Sequence, residues 1–196
     1  MMKVLSLAIS VTCIGICCAV GGVAQVVSPV KHSERRIDLA VTYDWTRVQS
    51  VGGGGFGMQG IGVDAHVKLM GQLGLAVDAA AVRKWPSDPP PELDLVTFSA
   101  GPRLTQTRSN GRFEFFVQAL LGEAIGMNGD FPCATSICSR ASSLEVQAGY
   151  GVDMLLRRGI LVRIAEADWV YTELPNSASN MQNSFRVTSG IVFRFQ

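Results

Sequence analysis

Arg35–Val48 reads RRIDLAVTYDWTRV, and its side chains alternate in character from one residue to the next. Ile37, Leu39, Val41, Tyr43 and Trp45 fall on one side of an extended chain, with Asp38, Ala40, Thr42 and Asp44 on the other. Successive side chains of a strand point to opposite faces, so this stretch predicts a strand with one apolar and one polar face. A helix would space its apolar residues by three and four, and no long stretch of the chain does so.

The same alternation recurs downstream. Val63, Ala65, Val67 and Leu69 oppose Asp64, His66 and Lys68, and Leu73, Leu75, Val77 and Ala79 oppose Asp78. Val96, Phe98, Ala100 and Leu104 oppose Thr97, Ser99 and Arg103. Phe113, Phe115, Val117, Ala119 and Leu121 oppose Glu114 and Gln118. Leu144, Val146, Ala148, Tyr150, Val152 and Met154 oppose Glu145, Gln147 and Asp153. Ala165, Ala167 and Trp169 oppose Glu166 and Asp168, and here Arg163 lands on the apolar face unless a bulge intervenes. Phe185, Val187, Ile191, Phe193 and Phe195 oppose Arg186, Thr188 and Arg194. With the opening stretch these make eight strands.

Connections alternate in length. Those around Gln72, through Asn110-Gly111 and at Arg157–Gly159 are tight, and Asn-Gly is a strong hairpin signal. The others are long: a glycine loop, PSDPPPELD (Pro86–Asp94), the segment holding FPCATSICS (Phe131–Ser139) with its flanks, and LPNSASNMQNS (Leu174–Ser184). This predicts an antiparallel up-and-down meander with one decorated end. In the first loop, Gly52, Gly54 and Gly57 satisfy G-x-G-x-x-G. A dinucleotide loop needs a buried strand before it and a helix after it, whereas alternating strands flank this one. Gly52–Gly62 is therefore read as a loop in which glycine permits positive φ.

The chain has 196 residues, which suits one domain, and is 47% hydrophobic and 17% charged with a net charge of +1. That is too apolar for a disordered chain and gives no bulk attraction to nucleic acid. Lys3, the apolar run that follows and Gly22-Val23-Ala24 read as a signal peptide over residues 1–24. Residues 25–34 read as a short periplasmic segment and 35–196 as the barrel domain. Of the five cysteines, Cys133 and Cys138 would remain after export; two cysteines in an exported chain favour a disulfide closing a small loop over a metal pair, since the other soft ligands, His32 and His66, lie far away in sequence. No metal site or cofactor is expected.

Alternation alone does not say which face is inside. The polar face is heavily charged, and the apolar face repeats large residues over about ten positions, the length of a tilted strand crossing a bilayer. Tyr43, Trp45, Trp85, Trp169 and Tyr171 lie near the loop-side strand ends, as in an interfacial aromatic belt. Closure satisfies every backbone group in lipid. These observations predict an all-β, eight-stranded antiparallel up-and-down transmembrane β-barrel with its apolar face towards lipid.

The chain resembles the outer-membrane β-barrel domain family, the small OmpA/OmpX-like eight-stranded barrels, over roughly Arg35 to Phe195. The specific part is the end: Thr188, Gly190, Phe193 and Phe195 match that family's C-terminal pattern, with Gln196 following the aromatic that usually ends the chain. The resemblance implies recognition by the barrel-assembly machinery, residence in the outer membrane among its lipids, and periplasmic termini. No peptidoglycan-binding domain of that family's kind is expected.

Eight strands leave a bore that side chains fill, so a diffusion pore is not expected. Lumen charges should pair. Strand counting places Asp38, Lys68, Arg103, Glu114, Asp153 and Arg194 near the periplasmic end as a salt-bridge layer, with His66 and Asp78 nearer mid-height. His66 is read as a lumen histidine, because no serine is placed by spacing to act with it. The expected function is a non-catalytic, monomeric outer-membrane barrel with a structural or surface-interaction role through its long loops, whose ligand the sequence does not name. The alternatives are an exported soluble ligand-binding barrel with an apolar interior, of lipocalin type, and a small lipid-modifying enzyme of the outer membrane.

Overall fold

A computed structural model describes residues 36–49, 55–85, 92–108, 110–133, 136–176 and 180–195. The signal-peptide stretch, residues 25–34, Val51–Gly54 and Gln196 lie outside the described residues. Eight strands follow one another: β1 (Ile37–Gln49), β2 (Gly55–Met70), β3 (Leu73–Trp85), β4 (Asp94–Thr107), β5 (Phe113–Pro132), β6 (Ile137–Arg157), β7 (Ile160–Thr172) and β8 (Gln182–Phe195). Each pairs antiparallel with the next, and β1 pairs antiparallel with β8 from Ile37 opposite Phe195 to Val48 opposite Ser184. The barrel is closed.

The apolar face is outside. Val41 is 54% exposed, Phe98 59% and Leu121 58%, while Asp44 is 1% exposed and Asp64 2%. A soluble ligand-binding barrel is thereby excluded, since it needs the opposite arrangement. In water such an exterior would be a liability; in hydrocarbon it is the favourable solvent contact. The aromatic residues Tyr43, Trp45, Trp169 and Tyr171 also face outward. Three of them carry their polar atoms to outward partners: Tyr43 Oη donates to Gln59, Trp169 Nε1 to Asn183 and Tyr171 Oη to Glu173. This suits a headgroup level, where an aromatic ring is apolar on one side and wet on the other. Trp85 ends β3, and its side chain lies outside the described set.

The tight connections close on glycines with positive φ: Gly71 at 56°, Gly111 at 69° and Gly159 at 82°. We call this the turn end and the opposite one the loop end.

Two local features differ from the reading of the sequence, and a third settles a register it left open. The glycines from Gly55 to Gly62 belong to strand β2, not to a loop, and none has positive φ. They are there for space. A Cβ at Gly60 would sit 1.9 Å from the Ala81 carbonyl oxygen, and one at Gly62 would sit 2.6 Å from both Thr42 Oγ1 and Asp44 Oδ2.

The cysteine segment is likewise strand. β5 and β6 run on past their outer neighbours: β4 pairs with β5 only as far as Met127, and β7 with β6 only from Glu145. Beyond those points the two strands pair with each other, with a register shift between Met127 and Phe131 where Asn128 takes φ 59°. A disulfide between Cys133 and Cys138 closes the tip.

In β7, a register shift between Arg163 and Glu166 inserts an extra residue, so that Ile164 and Ala165 both face out. The shift turns Arg163 inward, leaving it 1% exposed. An unpaired guanidinium facing lipid would be costly, and the bulge re-aims it.

Substituting Gly122→Ala puts a methyl about 2.0 Å from the Phe98 carbonyl oxygen, which cannot swing aside. It should lower stability by about 1–3 kcal/mol, measured by urea titration of the barrel in detergent micelles. Gly71→Asn, in an open left-handed turn with nothing within 4 Å, should cost under about 1 kcal/mol in the same titration.

Candidate functional site

The one densely functionalised region among the described residues is the lumen. It is built in layers, because every second residue of each strand points into a bore of fixed width.

At the turn end, Arg194 bonds Asp38 at 2.9 Å through Nε and Glu114 at 2.9 Å through Nη2. Arg36 reaches the same two carboxylates, Asp38 at 2.9 Å, and Thr107 donates to Glu114 at 3.1 Å. His66 lies beside this ring, with Nδ1 3.8 Å from Asp38, and is 2% exposed.

The middle layer centres on Asp64. Arg103 grips it with both terminal nitrogens and bonds Gln118 through Nε at 2.9 Å. Arg163 bonds Asp64 at 3.2 Å, Asp153 at 3.0 Å and Glu166 at 2.7 Å. Both arginines lie against the Phe116 ring, with guanidinium carbons 4.4 Å and 4.8 Å from its centre. Phe116 has room because Gly151 faces it; a Cβ there would come within 2.3 Å of the ring. Gln118 and Thr188 donate to Glu166 at 2.6 Å and 3.2 Å.

Above it, Arg186 bonds Asp78 at 3.0 Å and Asp168 at 3.4 Å, and Thr42 donates to Asp44 at 2.8 Å. Glu145 is fully enclosed, and neither carboxylate oxygen has a hydrogen-bond partner among the described residues. Carboxylates outnumber guanidiniums in this layer.

The loop end of the lumen is apolar. Met58, Val82, Leu95, Ala124, Phe131 and Leu174 form a buried cluster, flanked by Val48, Phe56, Leu93 and Ala141. Phe131 belongs to the β5 extension and folds over Gly126, where a Cβ would meet its ring at 2.4 Å. A plug of side chains thus caps the charged layers.

Of the residues singled out from sequence, Asp38, Glu114 and Arg194 share the turn-end ring, and His66 adjoins it. Arg103 and Asp153 belong to the middle layer, where they meet through Asp64 and Arg163 rather than directly. Asp78 sits above them on Arg186. Lys68 is half-buried and makes no ion pair among the described residues. Thr188 points inward, and Phe193 and Phe195 point outward on the last strand. Sequence reasoning did not assign Arg36, Asp64, Arg163, Glu166, Asp168 or Arg186 to the network. For Asp64, Glu166, Asp168 and Arg186 the polar-face alternation was the available signal; for Arg163 the bulge removed it. No group of His, Cys, Asp and Glu suited to hold a metal occurs among the described residues.

An outward apolar band, an aromatic girdle, a sealed backbone and a charged, filled interior define a transmembrane β-barrel of the small, eight-stranded kind. No protein-family model matches the chain, and no curated protein matches it in sequence. The solved structures do. Neisserial surface protein A is similar with a TM-score of 0.65 at 15% identity, over 81% of this chain and 97% of that one. Ail, the attachment invasion locus protein of Yersinia pestis, is similar with a TM-score of 0.55 at 15% identity, over 83% of this chain and 99% of that one. Both are eight-stranded outer-membrane barrels, and the likeness is one of fold.

Arg163→Met leaves Asp64, Asp153 and Glu166 short of a cation and should destabilise the barrel by about 3–5 kcal/mol. Lys68→Gln should change stability by no more than about 0.5 kcal/mol. Urea unfolding in lipid vesicles measures both.

Proposed function

We propose that the chain is an integral outer-membrane barrel without catalysis or cofactor, whose packed lumen is a structural strut and whose loop end makes contacts at the cell surface. The observation that carries this reading is the combination of a plugged bore with a hairpin raised above the barrel. β5 from Asn128 and β6 up to Leu144 stand beyond the ring of paired strands and are clamped by the Cys133–Cys138 disulfide. Loops and projections held by a rigid scaffold are where binding functions commonly sit. The apolar cap over paired charges leaves little room for a permeating solute.

A lipid-modifying enzyme would need its reactive groups at the lipid face. His66 is enclosed in the lumen beside Asp38 and Gly74, which speaks against that role for it. Export by residues 1–24, and insertion by an assembly machinery reading Thr188, Gly190, Phe193 and Phe195, complete the proposal, with a monomer among outer-membrane lipids as its state. A surface ligand would meet the hairpin and the neighbouring long loops.

Intact cells producing the full chain provide the test. After reduction with a membrane-impermeant phosphine, an impermeant maleimide should label the wild type and not the Cys133→Ser/Cys138→Ser variant. The protein should extract only with detergent, shift its gel mobility on boiling, and show no stable conductance in planar bilayers. A soluble periplasmic product, or a steady pore-sized conductance, would overturn the reading.

A further inference from the structure

Among the described residues, the exposed charges of two turns at the turn end are of one sign. Arg108 and Arg112 flank the β4–β5 turn, and Arg157 and Arg158 form the β6–β7 turn. All four are exposed and make no ion pair among the described residues. The two turns are neighbours, because the Leu155 amide donates to the Arg112 carbonyl at 2.8 Å. Neither turn contains an Asp or Glu. The carboxylates nearest to them in the described sequence, Glu114 and Asp153, point into the lumen and are engaged by Arg36, Arg194 and Arg163. The loop end is different: Arg83 there is matched by Asp94 at 2.6 Å, and Asp130 and Glu173 are exposed among the cations.

The four arginines also adjoin the apolar band along the chain. Leu104, Phe115 and Leu156, 48%, 43% and 59% exposed, are outward apolar residues within four positions of them in the sequence, with the polar Gln106 between Leu104 and Arg108. These residues belong to the apolar band, and the arginines follow it at the turn end. Long basic side chains at that level extend along the apolar surface and place their charge among headgroups. Guanidinium is suited to paired hydrogen bonds with phosphate oxygens.

We propose that this arginine rim binds the phosphate groups of anionic glycerophospholipids in the leaflet bordering the turn end. The proposal rests on the transmembrane reading and adds a lipid preference confined to one leaflet. A neutral exterior band with such a rim selects neighbours by headgroup rather than by chain, and electrostatic attraction to anionic lipid is additive over nearby basic residues.

The test uses the full chain folded into phosphatidylcholine vesicles containing phosphatidylglycerol, with spin-labelled lipids of both headgroups read by electron paramagnetic resonance. The labelled phosphatidylglycerol should associate severalfold more strongly than the labelled phosphatidylcholine at low salt. That preference should collapse towards equality in the Arg108→Gln/Arg112→Gln/Arg157→Gln/Arg158→Gln variant and at high salt. It should persist in Arg83→Gln/Arg140→Gln, which alters the loop end. Equal association in the wild type, or a preference that follows the loop-end variant instead, would overturn the proposal. Loss of the preference on adding soluble glycerol phosphate at low concentration would also overturn it, by showing a free-anion site. Heat-dependent gel mobility of each sample separates these results from failure of the barrel reading, since a wild type without a folded band would defeat that reading itself.

Discussion

Inside hydrocarbon a peptide group has no partner but another peptide group, and this constraint organises the molecule. An open sheet would leave two rows of donors and acceptors against lipid, so the first and last strands must meet. They do, from Ile37 opposite Phe195 to Val48 opposite Ser184. Closure with eight strands then fixes the bore, and the bore fixes what can fill it. Side chains share one narrow column, and Gly149 and Gly151 leave room in it for their ladder partners Asp168 and Phe116.

Filling that column with charge makes the interior a connected unit. Asp64 is held by Arg103 and Arg163, which both lie against Phe116. Arg163 in turn reaches Glu166, which takes hydrogen bonds from Gln118 and Thr188. These residues come from β2, β4, β5, β7 and β8, so strands that share no ladder are joined across the lumen. Buried pairs of this kind weigh less as net stabilisation than as a penalty on any arrangement that breaks them. They disfavour alternative registers, in which a one-residue slip would send every charge to lipid.

Most of this was legible in the sequence because a bilayer-crossing strand has to alternate. The eight strands, the outward apolar face, the tight turns at Gly71, Gly111 and Gly159 and the ring around Asp38 all follow from a period of two. Three features were not legible, each for a physical reason. Arg163 breaks the period, and only the neighbouring strand shows that a bulge absorbs it. The segment from Asn128 to Ser143 lacks a lipid-facing pattern because it pairs as a ribbon on its own, outside the ring. The apolar cap escaped notice because Met58, Val82, Leu95 and Leu174 lie near strand ends, scattered along the chain. They converge only when the barrel closes.

A net charge of +1 conceals how the charge is arranged. The arginine rim stands at one end of the axis, and the carboxylates that exceed their guanidinium partners, with Glu145 and Asp44 among them, lie higher in the column. Among the described residues, the centres of positive and negative charge are therefore displaced along the barrel axis. That separation gives the described residues a charge dipole along the barrel axis, whose two orientations would differ in energy wherever the two leaflets differ in surface potential.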